Sequence, residues 1–191
     1  MSFKKNKYLV IKKAISPDLA DFCYTYFLNK RRVAKFLFEE KYLHPYETMF
    51  GVWNDAQVPN TYSHYADLVM ETLLLALIPR MEKETGFKVY PTYSYARIYK
   101  NGDVLHRHSD RYSCEVSTTL NLGGDPWPIY LEPSGKQGMA GIKINLSPGD
   151  MLIYRGCDLE HWREAFEGQH CGQVFLHYND QKSKDAERNK F

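Results

Sequence analysis

A chain of 191 residues is long enough for one domain with a substantial core and short for two. Its 43% hydrophobic and 25% charged residues are the balance of a globular protein, and a net charge of +2 gives no global field for nucleic acid, so no nucleic-acid partner is expected. The longest apolar stretch, residues 73–79, is too short to span a membrane, and residues 1–7 are polar with three lysines, unlike a secretory leader. Four widely spaced cysteines (Cys23, Cys114, Cys157, Cys171) form no CxxC and no dense framework. A cytoplasmic chain with reduced thiols and no membrane partner is therefore expected.

Fifteen tyrosines and ten phenylalanines lean towards β-structure and lined pockets. The first strand candidate is residues 8–11. Ser16 can cap a helix and Pro17 suits its first position. Leu19, Phe22, Cys23, Tyr26 and Phe27 then recur at helical spacing, which predicts a helix to about residue 32. Residues 39–60 mix prolines, glycine and aromatics without a period and are expected to be irregular. A second helix is predicted over residues 62–85, with Tyr65, Leu68, Val69, Thr72, Leu73 and Ala76 on one face. Pro79 would kink or break it, and Gly86 would stop it.

Beyond Phe87 the pattern changes to short β-branched and aromatic runs: residues 88–90, 94–99, 115–122, 129–131, 141–146, 150–154 and 173–178. Turn sequences separate them, among them Asn101-Gly102, Gly123-Gly124-Asp125 and Ser147-Pro148-Gly149-Asp150. Strands of this length and spacing imply a sandwich, jelly roll or barrel. The expected organisation is one α+β domain over residues 1–180, helical to about residue 86 and β-structured from about 87. A polar, solvated tail at 181–191 follows.

The stretch richest in chemistry is Leu105-His106-Arg107-His108-Ser109-Asp110-Arg111. His108 and Asp110 stand two apart, so on extended backbone their side chains leave the same side. An imidazole and a carboxylate presented together are two ligands for a divalent metal, and His161, between two predicted strands, is the natural third. Two His and one carboxylate on one face of an octahedral ion leave positions open, as in non-haem Fe(II) oxygenases. An HxD pair alone is a weak signal; its order relative to the glycine turn, the Pro-Gly-Asp turn and the later His gives it weight.

Those ordered motifs are Tyr99, two residues, Gly102 and a short run into His108-Ser109-Asp110; then Thr118-Thr119-Leu120-Asn121; then Pro148-Gly149-Asp150 with its apolar strand; then His161. Over most of residues 8–180 the chain resembles the 2-oxoglutarate-dependent dioxygenases, and within them the prolyl 4-hydroxylase-like branch. The resemblance implies a double-stranded β-helix (jelly-roll) core with the N-terminal helices packed outside. It implies Fe(II) held by His108, Asp110 and His161, 2-oxoglutarate and O₂ as co-reactants, and ascorbate as a candidate auxiliary. It also implies hydroxylation of an unactivated C–H bond with release of succinate and CO₂, by default on a prolyl or other peptidyl residue. A free amino acid or small molecule is the alternative substrate, and a non-catalytic or other-metal binding protein the alternative function.

One departure concerns the cosubstrate. The family carries Arg or Lys at the start of its last core strand, nine or ten residues past the distal His. Here those positions are His170 and Cys171, with Gln173 two further along. The expected cosubstrate residues are Tyr99, Thr119, Gln173 and, as the cation, Arg97, which alternates with Tyr95 and Tyr99 on one strand. Arg163 and Lys143 are weaker candidates.

His106 makes the string His-x-His-x-Asp, which keeps a cupin-like site open and otherwise reads as a pocket-edge residue. Tyr95 and His177 are candidate pocket residues, and Trp127 and Trp162 candidate walls of the mouth. Trp53 and Asp55 lie in the best candidate lid, residues 51–62. Arg111 and Glu115 read as a structural pair.

Overall fold

The computed structural model describes residues 2–184 and 186–190. Its elements in chain order are α1 (Phe3–Asn6), β1 (Tyr8–Ile11), α2 (Pro17–Glu39), β2 (Tyr62–Tyr65), α3 (Leu68–Ala76), α4 (Ile78–Thr85), β3 (Val89–Lys100), β4 (Leu105–His108), β5 (Val116–Gly124), β6 (Ile129–Leu131), β7 (Ile142–Ile144), β8 (Met151–Arg155), β9 (His161–Arg163) and β10 (His170–Asp180). Two antiparallel sheets face each other. The larger runs β1-β8-β5-β10-β3-β2, the smaller β4-β9-β6-β7. From β3 to β10 the chain passes back and forth between the sheets, staying in the smaller one only for the β6–β7 pair, which makes a jelly roll with the helices outside its larger sheet.

The larger sheet is buried on both sides because it has neighbours on both. Along β5, Val116, Leu120 and Leu122 join Phe27, Met70 and Leu74 in the layer under the helices. Ser117, Thr119 and Asn121 alternate to the inside and are buried too. Between the sheets lie Tyr99, Leu105, Trp127, Phe166 and Cys171 at one end, with Ile129, Leu131, Leu152 and Tyr154 beside them. The interior of the roll therefore mixes apolar packing with buried hydroxyls, amides and charges, which is where a site can be built.

Several elements depart from the sequence expectation, each for a local reason. The first helix continues to Glu39 rather than to about residue 32, since no glycine or proline interrupts it. Residues 62–65 are not helical: they form β2, an edge strand in register with Tyr95–Ile98. The helix starts only at Leu68, where buried Asp67 caps it by accepting from the N–H groups of Val69 (3.0 Å) and Met70 (3.3 Å). Leu77 ends α3 and Pro79 opens α4, so the proline breaks the helix. The two short runs around Pro91 are one strand, β3. A register shift at His177/Tyr178 of β10 accommodates the proline there. The described part of the tail is not frayed: Gln181 N–H donates to Lys88 O, Ser183 to Glu115, and Ala186 is buried.

Asp67 ties the helical layer together. Besides its cap it accepts from the Tyr26 hydroxyl (2.8 Å) and from the Lys30 ammonium of α2. Burial opposes its ionisation, but hydrogen bonds from His64, Lys30 and Tyr26 prevail and hold the carboxyl well below the usual carboxylate range. A depressed pKa contributes stability that is present above the unfolded-state value of about 4 and is lost as pH falls. Asp67→Ala is expected to lower the unfolding free energy by about 3 kcal/mol near neutral pH. Urea denaturation at descending pH should show the difference from the native chain shrinking below about pH 4.

Candidate metal centre

β4 and β9 pair antiparallel at one end of the smaller sheet, with His108 directly opposite His161. Their rings lie 4.3 Å apart between centroids. Asp110, just beyond β4, brings Oδ1 to 3.7 Å from His108 Nε2 and 3.5 Å from His161 Nε2. The three donor atoms lie within 4.8 Å of one another. Each imidazole is oriented through its other nitrogen: Nδ1 of His108 donates to His106 O (2.7 Å) and Nδ1 of His161 to Leu159 O (3.1 Å). Both Nε2 atoms are thereby left as lone-pair donors.

Electrostatics hold Asp110 and His108 in the states a metal needs. Asp110 is nearly buried, which alone would raise its pKa. The neighbouring His161, His177 and the Ser117 hydroxyl (2.6 Å) instead hold it well below the carboxylate range. Burial, reinforced by the nearby His161, pushes His108 down, which favours the neutral ligand form. His177 sits at the back of the site, 3.0 Å from Ser117 Oγ and tilted against Tyr93. Burial pushes it down to about 4, so it is neutral at pH 7.

A second group of donors, Asp110, Cys114 and His177, also lies within 4.8 Å. Its thiol is the weaker ligand as placed: burial and the Asp110 charge push Cys114 up, and its Sγ is 2.9 Å from the Tyr93 hydroxyl. Two imidazoles and a carboxylate favour the first group for a hard-to-borderline ion.

The three donors open onto a cavity of about 410 Å³. Tyr65, Tyr93, Tyr95, Tyr154 and Phe175 form much of its wall, and Asp55 and Gln57 of the irregular loop reach over it. Asp55 accepts from the Tyr95 hydroxyl and from the Arg97 guanidinium. Gln57 Oε1 accepts from Arg97 (3.2 Å), while its Nε2 lies 3.2 Å from His108 Nε2. Although burial works against it, Tyr95 and Arg97 hold the Asp55 carboxyl below its ordinary value. The loop is thus latched by an ion pair whose Arg is 1% exposed.

The structure distributes the expected residues unevenly. Tyr95 and His177 line the cavity, and Asp55 lies over it. Thr119 and Gln173 are buried partners inside the roll, with Thr119 Oγ1 donating to Gln173 Oε1 (3.0 Å). Tyr99 is buried beside them, its hydroxyl accepting from Arg97 (3.0 Å). The carboxylate partner expected of an inward Arg97 is Asp55, supplied by the chain itself.

His106 is exposed and contributes its carbonyl, not its ring; a β-bulge between Leu105 and His108 breaks the parity that would have aligned the two histidines. Trp162 faces away from the interior, stacked on Tyr130 with Arg107 over it. Trp127 packs between Tyr99 and Phe166 within the roll rather than at the mouth. Trp53 packs on Tyr62 and Phe38, away from the three donors. Arg111 donates to Tyr93 (2.9 Å), and Glu115 pairs with Arg155 (3.0 Å), so these two are not partners. Lys143 pairs across β7 with Tyr130 and is exposed.

Sequence reasoning passed over Gln57, Ser117 and Gly156. The first two are ordinary polar residues with no spacing signal. Gly156 is informative in hindsight: a Cβ there would meet Asp110 Oδ2 at 2.3 Å and Cys114 O at 2.4 Å, and its carbonyl accepts the Asp110 N–H (2.8 Å). Only a missing side chain lets this turn support the carboxylate.

No family model matches the sequence, and no curated protein matches it. Solved structures do. A prolyl-4-hydroxylase of Pseudomonas putida matches at TM-score 0.63 and 12% identity, over 94% of this chain and 95% of that one. The non-haem α-ketoglutarate-dependent epimerase SnoN of nogalamycin biosynthesis matches at TM-score 0.67 and 12% identity, over 93% and 79%. The fold is their double-stranded β-helix. HygX from Streptomyces hygroscopicus, in a structure with nickel and 2-oxoglutarate bound, matches at TM-score 0.61 and 14% identity, over 94% and 85%. At such identities the likeness is one of architecture. Among the described residues, no helix is long and apolar enough to cross a membrane.

Gly156→Ala is expected to displace Asp110 and weaken divalent-metal binding by about 10- to 100-fold. Co(II) titration alongside far-ultraviolet circular dichroism checks this, with secondary structure expected to be retained.

Proposed function

We propose that the chain is an Fe(II)- and 2-oxoglutarate-dependent dioxygenase of the double-stranded β-helix superfamily, hydroxylating an unactivated C–H bond with release of succinate and CO₂. The observation that carries this reading is the convergence of His108, Asp110 and His161 within 4.8 Å on the wall of the cavity. The donor set fits Fe(II): two imidazoles and a carboxylate would occupy one face of the ion and leave the others for ligands. Iron and 2-oxoglutarate, when bound, would supply the oxidising power for C–H cleavage.

The chain's own residues do the rest. Asp110 would neutralise part of a bound metal's charge, and the His106 and Leu159 carbonyls orient both imidazoles. Tyr65, Tyr93, Tyr95 and Phe175 give the substrate an apolar wall with hydroxyl edges. Asp55 and Gln57, latched to Arg97, cover the centre and limit water.

A prolyl or other peptidyl residue is the substrate favoured by the motif order and by the likeness to the Pseudomonas putida enzyme. A peptide or protein is then the partner, with ascorbate as auxiliary reductant. A small molecule is the second reading. It is favoured by a cavity of about 410 Å³, within the range of small-molecule sites, and by the α-ketoglutarate-dependent epimerase among the structural relatives.

Mixing the chain anaerobically with Fe(II) and 2-oxoglutarate should produce a weak visible charge-transfer band, and admitting air should release succinate. Asp110→Ala and His161→Ala should abolish both, with Fe(II) affinity falling about 100-fold or more. No band and no succinate would remove the enzyme reading. Faster succinate release on adding proline-rich peptides would select the peptidyl substrate, and an unchanged rate the small-molecule class.

A further inference from the structure

Two arginines are almost wholly buried inside the roll, Arg97 and Arg163, each 1% exposed. Their surroundings differ in one decisive respect. Arg97 has an ion-pair partner in Asp55 and further acceptors in Gln57 and Tyr99. Arg163 has no carboxylate partner among the described residues. Its Nη1 donates to Trp127 O and its Nη2 to Thr119 Oγ1 (3.3 Å), both uncharged acceptors; its Nε, like that of Arg97, is buried without an acceptor. A guanidinium taken out of water without an anion costs several kcal/mol, so such a group is expected where an anion arrives from outside.

The position of Arg163 says which anion. It stands two residues after His161 on β9, so both side chains leave the same face of the strand, towards the interior. Two residues of strand advance about 7 Å. A five-carbon 2-oxo diacid held at the metal by its 2-oxo acid end would reach about that far with its other carboxylate. Thr119, whose hydroxyl Arg163 already touches, lies at that end; its hydroxyl, which donates to Gln173 here, would turn from Gln173 to donate to a carboxylate bound there. Arg163 does not itself line the cavity; it is buried beside Cys171, Tyr99 and Tyr154, and Tyr154 and His161 are part of the cavity wall.

We infer that Arg163, with Thr119, takes the far carboxylate of the cosubstrate, and that Arg97 is instead the latch of the covering loop. One short strand then carries both the distal metal ligand and the cosubstrate anchor, in place of a basic residue on the strand that follows. His170 and Cys171, where the motif order calls for that residue, supply no permanent cation, and this assignment accounts for it. The inference rests on the 2-oxoglutarate reading above.

The test uses the whole chain with Fe(II), without oxygen, and follows the charge-transfer band on titration with 2-oxoglutarate and with 2-oxopentanoate, which has the same carbon chain and no far carboxylate. The native protein should prefer 2-oxoglutarate by about 100-fold or more. Arg163→Met should bring that preference close to unity while leaving 2-oxopentanoate affinity unchanged, which also shows that the variant is folded. Arg97→Met should keep the preference. Thermal unfolding of the metal-free chains gives an independent reading: Arg163→Met should melt at or above the native temperature, since it removes an uncompensated charge, and Arg97→Met below it, since it strands Asp55.

Preference lost in Arg97→Met and kept in Arg163→Met would overturn the inference. So would a native-like preference in both. Absence of any band in the native chain that nonetheless binds Fe(II) would instead overturn the 2-oxoglutarate reading itself.

Discussion

One buried carboxylate sets the terms for the rest of the site. Asp110 sits where desolvation disfavours its charge, and it remains ionised because His161, His177 and the Ser117 hydroxyl surround it. Convergence has structural requirements. β4 and β9 must pair so that His108 and His161 share a rung, a bulge must turn His106 away, and the following turn must carry a glycine at 156. The inward positions of β5 must be small and polar, as Ser117 and Thr119 are, or the space would close. A small polar seam inside an otherwise apolar roll is the consequence, and a metal would neutralise it.

Buried cations mark out the remaining organisation. Lys30 is matched by Asp67 in the helical layer and Arg97 by Asp55 beneath the covering loop. Both pairs join segments far apart in sequence, so each fastens an irregular or peripheral element to the larger sheet. Arg163 is the unmatched member, and it lies on the strand that also presents a metal ligand. A protein that pairs its other deeply buried cation, Arg97, within itself and leaves one facing the interior is arranged for a ligand of opposite charge. The fold places that charge and one of the metal donors, His161, on one side of a three-residue strand.

How much of this is legible in sequence depends on what each segment is made of. The helices and the long strands follow from apolar periodicity, and His108, Asp110 and His161 follow from spacing and order. β4 and β9 do not, because Leu-His-Arg-His and His-Trp-Arg carry their functional groups where strand-forming apolar residues would otherwise stand. Residues 62–65 mimic a helical face by coincidence of spacing, and only pairing with β3 and the Asp67 cap reveal an edge strand. Asp55 falls within the expected lid while Trp53 does not cover the site, since alternation in an irregular loop cannot be read from composition. The choice between Arg97 and Arg163 is beyond the sequence for a simpler reason. Parity puts both inside, and what separates them is a carboxylate forty-two residues upstream of one of them.

The most direct test of the account is the electronic spectrum of the chain loaded with one equivalent of Co(II). Ligation by His108, Asp110 and His161 predicts weak visible bands from nitrogen and oxygen donors, no intense near-ultraviolet thiolate band, and a spectrum unchanged by Cys114→Ser. A strong sulfur-to-cobalt band that disappears in Cys114→Ser would place the ion on the Asp110, Cys114 and His177 group instead and contradict the account at its centre.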